Sequence, residues 1–121
     1  MAGNQSAEEG KSKVSVDEKI RNALLPFGDP VENGIYQGKE KRYYTFSYST
    51  LGSDYGDDSP GAERYLITIH FFAPLRENIT KRVKSTKHAL FHSGFTWPET
   101  VNASDEDARH IVFECETAEG V

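Results

Sequence analysis

The sequence predicts an α+β fold: a mainly antiparallel β-sheet flanked by two helices on one face, in the order α-β-β-β-α-β. Three observations predict it. Two stripes of apolar residues at three- and four-residue steps, one after Ser15 and one over residues 79–93, mark amphipathic helices. Two runs rich in aromatic and β-branched residues, RYYTFSYST at 42–50 and RYLITIHFF at 64–72, alternate as strands do. A third alternating run closes the chain at residues 109–116. One sheet face buries both helix stripes together, which is the economical use of these parts.

The first helix starts at Ser15-Val16-Asp17-Glu18, where Ser15 and Glu18 can satisfy each other's free amide hydrogens as a capping box. Val16, Ile20, Ala23, Leu24 and Phe27 form its stripe, and Pro26 with Gly28-Asp29-Pro30 stops it. A weak strand follows at 31–37, broken by Asn33-Gly34, with a turn at Gly38-Lys39-Glu40. In the strand at 42–50, Tyr44, Phe46 and Tyr48 point to one side and Tyr43, Thr45 and Ser47 to the other.

Residues 51–61 form a long polar loop rich in turn formers. The next strand, 64–72, sets Tyr65, Ile67, Ile69 and Phe71 against Leu66, Thr68, His70 and Phe72; apolar residues on both faces mark a central strand. Asn78 caps the second helix, whose stripe is Ile79, Val83, Thr86 and Leu90 with Phe91 nearby, and Gly94 ends it before Phe95. A Trp97-Pro98 break and an acidic loop lead to the closing strand. There Ile111, Phe113 and Cys115 face inward, opposite His110, Val112, Glu114 and Glu116. Trp97 is expected to plug the seam between the second helix and that strand, so Trp97→Ala would cost about 3–5 kcal/mol, whereas a melting temperature that hardly moves would put Trp97 on a subunit contact.

A chain of 121 residues that is 36% hydrophobic and 27% charged fits one domain, at 14–121, behind a polar tail at 1–13 expected to be disordered. No apolar run reaches the roughly 18 residues of a membrane-spanning helix, and the start lacks the apolar centre of a secretory signal. With one cysteine and no internal disulfide, a soluble protein kept inside a cell is expected.

Chemical constellations are weak. Asp54, Asp57 and Asp58 offer oxygen ligands but lack the spacing and distal Glu of a calcium loop. Asp105, Glu106 and Asp107 read as a turn before the last strand, where Ser104 would also suit the cap of a single helical turn. His88 and His92 have the spacing of two metal ligands, yet Ala89 stands where a zinc protease needs Glu, and their place near a helix C-terminus suits the dipole. A small hydrolase would have to use His70 or Cys115, and neither lies in a nucleophile motif. No catalytic residue, cofactor or metal is therefore expected.

Charge is segregated within a net of -5. Residues 76–92 carry Arg76, Lys81, Arg82, Lys84 and Lys87 against Glu77; residues 99–121 carry seven acids, among them Asp105, Glu106 and Asp107, against Arg109. Separate basic and acidic surfaces suit a head-to-tail contact between copies. A nucleic-acid module reading the basic helix is the competing view, weakened by the overall negative charge.

Three stretches together, RYYTFSYSTLGSDYGDDSPGAERYLITIHFFAP, ITKRVKSTKHALFHSGFTWPE and SDEDARHIVFECE, resemble a family of small phage and prophage proteins from the tail-assembly region of long-tailed phages of Gram-positive bacteria. The resemblance spans about residues 14–120, and the element order is similar to the tail-terminator, or tail-completion, fold.

It implies a virion structural protein, made in the host cytoplasm, that caps the tail tube as a ring, usually of six copies. Its implied partners are its own copies, the major tail tube protein and a head–tail connector or head-completion protein. DNA would pass through the lumen without specific binding, and no membrane is involved. Asp54, Tyr55, Asp57 and Asp58 would then face the lumen or a neighbouring layer; charge placement makes Lys81, Arg82, Lys84, Lys87, Asp105, Glu106 and Asp107 candidates for subunit or partner contacts, the basic helix face meeting an acidic patch of the adjacent subunit. Another neck component, a head-completion or connector adaptor protein, is the alternative within the same assembly.

Overall fold

Two amphipathic helices and five strands make up the described part of the chain, residues 14–51 and 63–119 of a computed structural model. In chain order they are α1 (Val16–Leu24), a 3-10 turn (Leu25–Phe27), β1 (Val31–Asn33), β2 (Tyr43–Thr50), β3 (Glu63–Pro74), α2 (Thr80–His92), β4 (Glu99–Asn102) and β5 (Ala108–Glu119). The sheet order is β1-β2-β3-β5-β4, antiparallel except for the parallel pair β1–β2. The α+β fold with both helices over one sheet face is thus the one the sequence predicts. The expected tail at 1–13 and the loop carrying Asp54, Tyr55, Asp57 and Asp58 lie outside the described residues.

Local chemistry sets the helix ends. Ser15 Oγ accepts from the Glu18 N–H while Glu18 Oε1 accepts from the Ser15 N–H, so the capping box forms as read. Gly28, at φ 90°, closes the 3-10 turn in the left-handed conformation that only glycine adopts without strain. At α2 the N-cap is Ile79, not Asn78, and carries no side-chain cap; Asn78 Oδ1 accepts from the Thr80 N–H one residue outside it. At its end Gly94, at φ 101°, lets the Phe95 N–H reach back to the Leu90 carbonyl.

Strand register builds the core. Tyr44 pairs with Phe71 and Phe46 with Ile69 across β2–β3; Phe71 pairs with Ile111, Ile69 with Phe113 and Ile67 with Cys115 across β3–β5. All of these side chains are buried, as are Val16, Ile20, Ala23 and Leu24 of α1 and Leu90 and Thr86 of α2. Burying each large apolar side chain contributes about 1.5–3 kcal/mol. Tyr44 is the one buried phenol among the described residues, and its hydroxyl shares a 2.7 Å hydrogen bond with Thr86 Oγ1.

Four elements differ from the sequence reading. The weak first strand is only Val31–Asn33, ended by Gly34 at φ 88°, and it runs parallel to β2 because the chain loops back through residues 34–42. The expected acidic loop after Pro98 begins with a strand instead: Glu99–Asn102 is exposed throughout and pairs with β5 through its backbone, so no apolar alternation announced it. Ser104 caps no helical turn; its Oγ accepts from the His110 N–H across the β4–β5 hairpin. Trp97 is no core plug but is 46% exposed, because Phe95 (3%) takes the buried place in that segment.

Candidate functional site

The helices cover one sheet face, which holds Tyr44, Phe46, Phe71 and Phe113, and leave the other face with fewer but accessible rings. On the other face, Tyr43, Phe72 and His110 lie side by side in one cross-strand row. Their rings stack, Tyr43 on Phe72 at 4.8 Å and Phe72 on His110 at 4.2 Å between centroids, and Tyr36 extends the row against Tyr43 at 4.4 Å. Tyr36 is held there by its hydroxyl, which accepts from the Glu40 N–H. One row further, His70 Nδ1 and His110 Nε2 share a hydrogen bond at 2.8 Å, one nitrogen donating and the other accepting. Partial burial pushes both imidazoles below their ordinary pKa, and for His110 the neighbouring His70 adds to the shift while Asp105 opposes it.

Tyr36, Tyr43 and Phe72 of this ladder form one wall of a cleft of about 310 Å³, lined also by Glu40, Lys41 and Asp107. Asp107 is placed by the hairpin turn. Asp105 Oδ1 accepts from the N–H groups of Asp107 and Ala108, which holds its carboxyl below the usual carboxylate range and leaves the side chains of Glu106 and Asp107 exposed.

The basic residues of α2 divide. Lys81 and Lys84 are exposed, and Lys87 reaches over the Trp97 ring at 6.0 Å. Arg82 turns inward instead: its Nη1 donates to Asp29 at 2.8 Å, and its guanidinium lies over Phe27 and Phe71. Asp29 also pairs with Arg42, which pairs with Glu77, so this cluster ties the 28–30 loop, β2 and α2 together. Close pairs with Glu77 and Asp29 raise the Arg42 pKa further. Arg82 is therefore engaged within its own chain.

Around the end of α2, Phe91 is 50% exposed and packs edge-on against Trp97 at 5.7 Å, with His88 against the same indole at 5.2 Å. The His88 and His92 rings stack at 6.1 Å, and among the described residues no group of three or more His, Cys, Asp or Glu is placed to hold a metal. Cys115 is buried in the core, where desolvation pushes its thiol up to about 12. His70 lies on the opposite sheet face, since its cross-strand partner is Val112, so the two form no nucleophile–base pair.

Neither the cleft nor the Phe91–Trp97 surface figured among the expected sites. The signal for the first was present: Tyr43, Phe72 and His110 share the parity that strand alternation assigns to the outer face. For the second, apolar residues just past the stripe of α2 were read as core edge, and only the packing shows that Phe95 displaces them.

No family model and no curated protein matches the chain. A solved structure that carries no functional name matches it with a TM-score of 0.58 at 7% identity, covering 88% of this chain and 93% of that one. At that identity the likeness shows the fold alone: a small α+β arrangement of two helices on a five-stranded sheet.

Proposed function

We propose that this chain is a structural subunit of a long-tailed phage particle, a tail-terminator protein that caps the tail tube as a ring and presents the surface to which the head is joined. The observation that carries this reading is the pair of accessible aromatic surfaces, the Tyr36–Tyr43–Phe72 cleft and the Phe91–Trp97 edge, on a domain whose core is already filled. Exposed aromatic clusters with a charged surround are what protein contacts use as anchors. The three sequence stretches that resemble the tail-assembly family support the same role, and the fold is compatible with it. The role is mechanical. A ring matching the last layer of the tube stops further addition, and its other side provides a new docking surface.

Deleting the gene in the phage that encodes it tests this. Negative-stain images should show overlong or headless tails, and labelled protein should lie at the junction of tail and neck. Tails of normal length that carry heads would overturn the reading. Headless tails of normal length would instead favour a head-completion or connector adaptor role.

A further inference from the structure

The two aromatic surfaces differ in charge as well as in place. Lys87 reaches over the Trp97 ring, and Lys84, seven residues before Phe91 and so on the same face of α2, has no ion-pair or hydrogen-bond partner among the described residues. The cleft is flanked by Glu40 and Asp107, with Lys41 partly offsetting them and the acidic hairpin turn beside it. One surface is an apolar knob with Lys84 and Lys87 on its α2 side and Glu99 past Pro98 on the other. The other is an aromatic-walled hollow whose rim holds two carboxylates, Glu40 and Asp107, against Lys41.

Their positions are fixed by the register. Trp97 follows Thr96, whose N–H donates to the Glu116 carbonyl, so the knob lies beside the row where Leu66 pairs with Glu116, on the side of α2. The cleft lies where Phe72 pairs with His110 and Pro74 with Ala108, on the helix-free side. Six residues of β3, about 20 Å, separate the two rows. A chain that meets a second copy through knob and cleft must therefore use different surfaces on the two partners. Such a contact is heterologous, and it propagates until it closes into a ring.

We propose that the Phe91–Trp97 knob of one copy docks in the Tyr36–Tyr43–Phe72 cleft of a second copy, with Lys84 and Lys87 meeting Glu40 and Asp107. The occupant of the cleft is this same chain, named by the complementarity of both its aromatic content and its charge. The contact supplies the subunit interface for the ring reading above, on which it rests. It assigns Trp97, the single tryptophan, to the centre of the interface, where an aromatic anchor is worth most.

Two variants test it, both altering exposed side chains that leave the core intact. Phe91→Ala/Trp97→Ala removes the knob and Glu40→Lys/Asp107→Lys reverses the rim of the cleft. In sedimentation, wild type should associate with rising concentration, and each variant alone should associate at least about 30-fold more weakly. An equimolar mixture of the two should stop at a one-to-one dimer, since one intact knob and one intact cleft remain. Only the cleft variant contains tryptophan, so its emission should shift to the blue when the knob variant is added. Raising the salt should weaken wild-type association.

A wild type that stays monomeric up to about 1 mM overturns the proposal. So does a knob variant that associates like wild type, or a mixture that grows beyond the dimer. If circular dichroism shows the double knob variant unfolded, Trp97→Ser alone takes its place with the same expectations. These outcomes are separable from the deletion experiment. Headless or overlong tails with unaltered association in the variants would refute this interface and keep the tail role, whereas normal tails would refute the role and leave the sedimentation result to stand by itself.

Discussion

Phe71 and Phe72 are neighbours on the same strand with opposite fates. Phe71 points under the helices, is fully buried and packs against Tyr44 at 4.9 Å; Phe72 points to the helix-free side and is half-buried between Tyr43 and His110. Side-chain chemistry is identical, so the difference lies in what the helices cover. The lesson is that alternation sorts residues into two faces, while the amphipathic stripes of α1 and α2 decide which face becomes interior.

The largest expected effect contrasts the two residues directly. Phe71→Ala should lower stability by about 3–5 kcal/mol, the cost of a large cavity in a packed core. Phe72→Ala should lower it less, by about 1.5–3 kcal/mol, the transfer of a partly buried ring plus its lost stacks. Urea unfolding of both variants checks this, and equal losses would mean that the open face is as essential to the monomer as the core.

A smaller effect belongs to the buried pair. Tyr44→Phe leaves the Thr86 hydroxyl buried without its partner and should cost about 1–3 kcal/mol, whereas Tyr44→Phe combined with Thr86→Val should recover part of that loss. A double-mutant cycle by denaturant melts would show it. Trp97→Ala should cost less than about 1 kcal/mol, because nearly half of the side chain is already in water. A loss near 4 kcal/mol would restore Trp97 to the core.

The smallest effect is a pH dependence of the open face. His70 and His110 have folded-state pKa values below the ordinary 6.5, so the unfolded chain takes up protons first as pH falls below about that point. Their contribution is complete above pH 6.5 and is lost progressively below it. Melting temperature measured from pH 7.5 to 5 should fall more steeply for wild type than for His70→Gln/His110→Gln. Parallel curves would show that the shared proton has no bearing on stability.

Both helices, the three long strands and the inward parity of Ile111, Phe113 and Cys115 were legible because each buries an apolar stripe of regular period. What the sequence hid has a physical reason in each case. The strand Glu99–Asn102 is exposed at every position and pairs with β5 through its backbone, so it has no apolar stripe to announce it. The parallel run of β1 depends on the path of the loop at 34–42, where the Tyr36 hydroxyl and ring brace the return. Arg82 was grouped with the surface lysines by charge, yet its partner Asp29 lies 53 positions away, a pairing that only the folded chain reveals. The core place read for Trp97 failed because exposure is decided by competition, here between Phe95 and Trp97, and competition is not local.

The sheet also ends in its two shortest strands, three residues in β1 and four in β4, the first cut off at Gly34 and the second preceded by Pro98. Long bare margins invite foreign strands to add on, and clipped ones do not. The short β1 and β4 therefore offer a foreign strand few free backbone groups, and the longest uncovered margin left among the described residues is β2 beyond Phe46.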